Sequence, residues 1–265
     1  MEKTDITDIT QEKKSHTLME KMFDVGAHYA YSRSRRHPSM KRFIYGIKNN
    51  VEIINLEKTE KLLSEALNFV SSLAKEGKTL LFVGSKNEAR DVIKKEAERL
   101  SIPYVVTRWI GGTLTNFNEI KKRIQRLQEL TEQKEKGELS KYTKKERLMI
   151  DREIERLEKN FRGLTSLLEM LPRALFVIDP KKEIIAVTEA KKIGIPVIAL
   201  VNSDCDFNIV DYPITANDSS FASIRFFTEQ IADAYKKGQN QKIMQTPKEE
   251  KDTSDVGKKI TNSIS

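Results

Sequence analysis

Arg33, Arg35, Arg36, Lys41, Arg42 and Lys48 fall between Ala27 and Lys48 with no acidic side chain among them, in a chain that otherwise holds 39 Asp and Glu. This one stretch carries +6 of a formal net charge of +8. His28, Tyr29, Tyr31, His37, Phe43 and Tyr45 are interleaved with the cations. Cations that pair with phosphates, set among flat rings that stack on unpaired bases, are the chemistry of nucleic-acid contact. The blander reading is a solvated arm, as most charge runs are. A second stretch, Arg108 to Phe117, holds the only tryptophan and the Gly111-Gly112 pair. Twin glycines suit a close backbone approach or a left-handed turn. Arg108 and Trp109 are expected to contact RNA, and a hinge packed by Trp109 is an equally good account of the same residues.

Other constellations are weaker. Gly84-Ser85-Lys86 follows an apolar run and opens a helical pattern, where free N–H groups could hold a phosphate. The dinucleotide fingerprint needs further glycines, and Lys86 and Ala89 stand in their places. Gly77-Lys78-Thr79 resembles the end of a P-loop but enters a strand instead of leaving one. Cys205 is the only cysteine, so there is no internal disulfide or multi-cysteine zinc cage, and its possible bases His16, His28 and His37 all lie far away in sequence. Asp204, Asp206 and Asp211 could hold Mg²⁺, although acids in loops are more often turn formers. The residues therefore point to no catalytic group, no metal and no cofactor. The competing class is a nucleotide- or flavin-binding enzyme using the Gly84 turn and the acidic loop.

The elements that must position these residues read as an α/β body. Short apolar runs at Thr79–Val83, Tyr104–Thr107, Ala174–Ile178, Val197–Val201 and Tyr212–Thr215 predict five parallel strands buried on both faces. Helical spacing predicts helices over Leu56–Ala74, capped by Asn55, and over Asn87–Leu100, Glu183–Ile193 and Ser219–Lys237. Between the second and third strands, apolar residues step by three and four from Phe117 to Leu127 and again from Ile150 to Leu171, through Leu168. That spacing is a coiled-coil seam. Gly137–Tyr142 interrupts it, and a Thr143/Glu146 capping box restarts the helix. The stretch is read as an inserted antiparallel coiled-coil hairpin over 116–165, with 14 basic and 10 acidic residues. The body is expected over 16–115 and 166–238, with 27–48 as its basic N-terminal arm. Polar composition predicts disordered tails over 1–15 and 239–265. No run is apolar enough to cross a membrane and the first residues lack a signal-peptide core, so a cytoplasmic address is expected.

Gly26 to His28, Arg36 to Met40, Ile53 to Thr59, Leu81 to Gly84, Arg108 to Gly112 with Leu114-Thr115-Asn116, Leu157 to Lys159, and Leu171 to Asp179 through Glu189-Ala190 to Pro196 occur in the order of one family. The chain resembles the bacterial small-ribosomal-subunit protein S-two family, from about residue 16 to 238. The resemblance implies a flavodoxin-like body with an inserted coiled-coil hairpin and a non-catalytic role in translation. It implies a ribonucleoprotein that binds 16S ribosomal RNA near the junction of head and body. Neighbouring small-subunit proteins would be partners, with the large mRNA-binding protein S-one where the organism has one. It implies no small-molecule substrate and no membrane. The chain departs from the family pattern at Ala30, Tyr31, His37-Pro38-Ser39 and Thr107.

Overall fold

The computed structural model describes residues 17–167 and 170–245. The tail expected over 1–15, Leu168 of the apolar seam and most of the tail expected over 239–265 lie outside those residues. Five strands, β4 (Leu80–Val83), β5 (Tyr104–Val105), β6 (Ala174–Ile178), β7 (Val197–Val201) and β8 (Tyr212–Thr215), form a parallel sheet in the order β5-β4-β6-β7-β8. In the sheet's own numbering that is 2-1-3-4-5, the order of flavodoxin-like sheets. Successive residues of a strand point to opposite faces. Leu80, Phe82, Phe176, Ile178, Ile198 and Leu200 therefore enter one core, and Leu81, Val83, Leu175, Val177, Val197 and Ala199 the other.

Helices α2 (Leu56–Lys75), α3 (Asn87–Leu100) and α7 (Phe221–Gln245) cover the first face, and the short α1 (Leu18–Asp24) packs on α2. Asn55 Oδ1 accepts the Lys58 N–H at 3.2 Å, the cap expected for α2. The expected tail boundary at 239 is corrected, because α7 continues to Gln245. Composition misses the extension because tertiary packing sustains it. Gly238 lies so close to α2 that an added Cβ would meet the Ser71 carbonyl, and Lys242 lies against Gly77.

The second face is covered by α6 (Ile184–Lys192) and by two helices inserted between β5 and β6, α4 (Phe117–Glu135) and α5 (Lys144–Phe161). These two pack on each other through Ile124, Leu127, Leu130, Ile154 and Leu157. Arg126–Glu153 at 3.5 Å and Lys134–Asp151 at 2.7 Å bridge them at the surface. The Thr143/Glu146 capping box is formed, with both reciprocal hydrogen bonds present.

The largest departure from expectation lies before α2. Residues 27–48 are not a free arm. β1 (Tyr29–Ser32), β2 (Ile44–Lys48) and β3 (Val51–Ile54) make an antiparallel sheet in the order β1-β3-β2. Asn49 and Asn50 join β2 to β3 with φ of 51° and 62°. Positive φ at both positions of a two-residue hairpin loop is the type I′ geometry, which asparagine tolerates.

Candidate nucleic-acid interface

The small sheet is tied to the carboxyl edge of the large one. The Asn217 N–H donates to the Ala27 carbonyl at 2.9 Å, and the His37 N–H to that of Ser203 at 2.8 Å. The Tyr31 hydroxyl meets Ser219 Oγ at 2.7 Å. The basic residues thus sit on a fixed platform, and space supplies the acids that the linear stretch lacks. Arg36 pairs at 2.8 Å with Glu52, whose side chain is fully buried. Arg35 pairs with Asp204 at 3.2 Å while its guanidinium stacks on Tyr31 at 3.8 Å. Arg33, Lys41, Arg42 and Lys48 are exposed and form no ion pair among the described residues. Arg42 is held over the rings of Phe207 and Phe43, 4.6 and 4.9 Å from their centroids. With Lys41, Pro38, Ser39 and Asn208 it lines an open groove of about 540 Å³. Of the interleaved rings, His28 and Phe43 are buried, whereas Tyr29 and Tyr45 are 50% and 80% exposed and offer faces for stacking.

At the second expected contact, Arg108 is exposed and Trp109 is not. Trp109 is 4% exposed, so its expected contact with RNA is corrected. Its ring packs in the core, and its indole N–H donates to Glu189 Oε1 at 3.2 Å. The same carboxylate accepts the N–H of Gly112 at 2.7 Å and of Leu114 at 3.0 Å. It also accepts the N–H and hydroxyl of Thr115, both at 3.3 Å. Burial alone would push the Glu189 carboxyl up, but these donors outweigh it and hold the group below the usual carboxylate range. Gly112 has φ of 90°, so the chain can curl around the carboxylate. Glu189 thereby sets the turn that presents Arg108 and launches α4. The sequence shows Glu189 only as part of the family pattern and assigns it no role, because one acid on an amphipathic helix carries no spacing signal.

The enzyme-like features are filled from within. In an open α/β sheet, ligands bind where the strand order reverses, here between the ends of β4 and β6. The Ser85 N–H donates to Glu183 Oε1 at 3.0 Å, and the Ser85 hydroxyl donates to the same oxygen. The chain's own carboxylate occupies the position an anion would take. Lys86 reaches Asp218 at 3.1 Å and Asp179 at 3.5 Å. Burial would push its ammonium down, and the two acids more than reverse this, so the charge stays.

Cys205 is buried, and its thiol is pushed up by burial and by Asp179, Asp204 and Asp218, the opposite of an activated nucleophile. His28 stacks on Phe23, 4.4 Å between centroids, and meets the tilted ring of Tyr29 at 4.0 Å. The three loop acids are separately committed. Asp204 pairs with Arg35 and with Lys181, the latter at 3.0 Å. Asp206 accepts the Asn208 N–H at 3.0 Å, and Asp211 accepts that of Val197 at 2.8 Å.

A family model described as Ribosomal protein S2 matches residues 22–238. The chain belongs to that family. It is 45% identical over 220 residues to the small ribosomal subunit protein uS2 of Coprothermobacter proteolyticus, covering 83% of this chain and 82% of the relative. It is 43% identical over 224 residues to the uS2 of Geotalea uraniireducens, covering 84% and 87%. It is 44% identical over 226 residues to the uS2 of Dictyoglomus thermophilum, covering 85% and 92%. The matched span includes both the small antiparallel sheet and the α4–α5 insertion, so family membership extends to the parts that carry the exposed cations.

Proposed function

We propose that this chain is a non-catalytic structural constituent of the small ribosomal subunit in the cytoplasm, and that it binds 16S ribosomal RNA through Arg33, Lys41, Arg42, Lys48 and Arg108. The observation that carries this reading is the family match across 22–238. Phosphate pairing by cations on a fixed platform, with Tyr29 and Tyr45 available for stacking, is the mechanism. Arg35 and Arg36 fasten the platform to the body. Trp109 and Glu189 position the Arg108 turn. The body, 16–115 with the helices and strands after 166, acts as one rigid support for these contacts. The inserted α4–α5 pair serves as an antiparallel coiled-coil hairpin, and neighbouring small-subunit proteins, with protein S-one where the organism has one, are the protein partners.

The reading is tested by expressing the tagged full chain in a bacterial host and sedimenting the lysate at low and at high salt. Co-migration with the small subunit at low salt and release at high salt are expected. A chain that stays in the free pool at low salt overturns the reading.

A further inference from the structure

Lys86 stands between β4 and α3 and turns its ammonium inward, with its side chain only 14% exposed. The ammonium meets Asp218 Oδ2 at 3.1 Å, Ser219 Oγ at 3.4 Å and Asp179 Oδ2 at 3.5 Å. Its three donors therefore reach acceptors that follow β8 and β6. The Asp218 side chain is fully buried, and Lys86 is the one partner of its Oδ2 among the described residues. Asp218 Oδ1 accepts the Asn202 side-chain amide at 2.7 Å, which brings in the end of β7. The ends of β4, β6, β7 and β8 thus converge on a single positive charge.

The basic platform hangs on the same residues. Asn217 donates its N–H to the Ala27 carbonyl at 2.9 Å and its side-chain amide to the Gly26 carbonyl at 3.1 Å. The Tyr31 hydroxyl meets Ser219 Oγ, and the Tyr31 N–H donates to Ser203 Oγ at 3.1 Å. The His37 N–H donates to the Ser203 carbonyl. Asn217 and Ser219 flank Asp218, and Ser203 is tied to it through Asn202, whose Oδ1 accepts the Ser203 N–H at 2.7 Å. Without the ammonium, Asp218 is a buried carboxylate beside Asp179 with no cation to compensate it, and its loop must shift to reach water. A shift at 202–203 and 217–219 is a shift of the platform.

We propose that Lys86 is a positioning residue for RNA binding: it touches no RNA, and by compensating Asp218 and Asp179 it holds the small antiparallel sheet where Arg33, Lys41, Arg42 and Lys48 engage phosphates together. The inference rests on the small-subunit RNA reading and adds to it a residue that acts from behind the contact surface. A cation that binds a phosphate itself contributes about 0.7 to 0.9 units of log-log salt slope. A cation that positions four others governs the share of all four.

The test compares full-length chains for binding to 16S ribosomal RNA across salt, each below its own thermal unfolding. They are the parent, Lys86→Met, Lys86→Met with Asp218→Asn, and a chain with Arg33, Lys41, Arg42 and Lys48 all changed to Gln, which measures what the platform contributes. Lys86→Met is expected to lower the slope by roughly two units or more. Adding Asp218→Asn removes the uncompensated charge and is expected to bring the slope back toward the parent's. A parent-like slope in Lys86→Met overturns the positioning role, and so does a fall that Asp218→Asn leaves in place, the result direct phosphate contact would give. Should Lys86→Met fail to fold, Tyr31→Phe with Ser203→Ala cuts two anchors of the platform and leaves the Lys86 pairs intact. That chain must lower the slope by more than about one unit, and an unchanged slope there overturns the role. A parent-like slope in the four-Gln chain sinks the platform reading itself, whatever Lys86 does.

Discussion

Replacing Glu189 with Ala removes the acceptor of five hydrogen bonds at once, and their different surroundings set the cost. The donors on Gly112 and Thr115 are only part-buried, so water can replace the carboxylate there. The Trp109 indole N–H and the Leu114 N–H are buried, and the substitution strands them. Each of the two stranded buried donors costs about 1 to 3 kcal/mol, so a loss of about 2 to 6 kcal/mol is expected. For a domain of this size that lowers Tm by roughly 4 to 24 °C, at about 2 to 4 °C per kcal/mol. Glu189→Gln keeps one acceptor oxygen but turns an NH2 toward the remaining donors, and a smaller loss follows. Urea unfolding of the three chains measures the effect, and the pH dependence supplies its sign. The folded-state pKa of Glu189 lies below its unfolded value, so the stabilisation is complete above the ordinary carboxylate range, near pH 4.3. It is lost as pH falls through the lower folded value, so parent and Gln variant must converge in acid. A loss below about 1 kcal/mol in the Ala variant at neutral pH refutes the view that this carboxylate organises the turn.

The paired and unpaired cations of the small sheet should separate in the same salt titration. Changing Arg33, Lys41, Arg42 and Lys48 together to Gln lowers the slope by roughly three units, whereas Arg35→Gln leaves it nearly unchanged. Arg36→Ala strands the buried Glu52 carboxylate and costs about 3 to 5 kcal/mol in denaturant unfolding; adding Glu52→Gln recovers part of that loss. Gly163→Ala drives a Cβ into the Tyr104 carbonyl where the segment after α5 crosses β5, and should destabilise by about 1 to 3 kcal/mol, read as a fall in Tm.

The large sheet was legible because its strands are buried on both faces and read as bare apolar runs. Ala174–Ile178, Val197–Val201 and Tyr212–Thr215 begin and end in the structure where the pattern puts them. Helix starts were legible where a side chain does the capping, at Asn55 and Thr143. The small sheet was not. Its strands are short and half-exposed, so no apolar run marks them, and the burial of β2 alternates unevenly. One local signal was available, the Asn49-Asn50 pair between two β-rich runs.

Charge also explains why the site was only half legible. A linear stretch shows which cations lack acidic neighbours in sequence, but Glu52 reaches Arg36 from β3 and Asp204 reaches Arg35 from beyond β7. Pairing across space therefore ties Arg36 to a buried carboxylate with no second cation among the described residues, whereas Asp204 is shared between Arg35 and Lys181. Unpaired charge on a rigid element, rather than charge in the sequence, is what a polyanion meets, because a cation already held by a buried carboxylate cannot turn to a phosphate without leaving that carboxylate uncompensated. If that ordering is right, Arg36 and Glu52 will govern unfolding and leave the salt slope alone, while Arg42 will do the opposite.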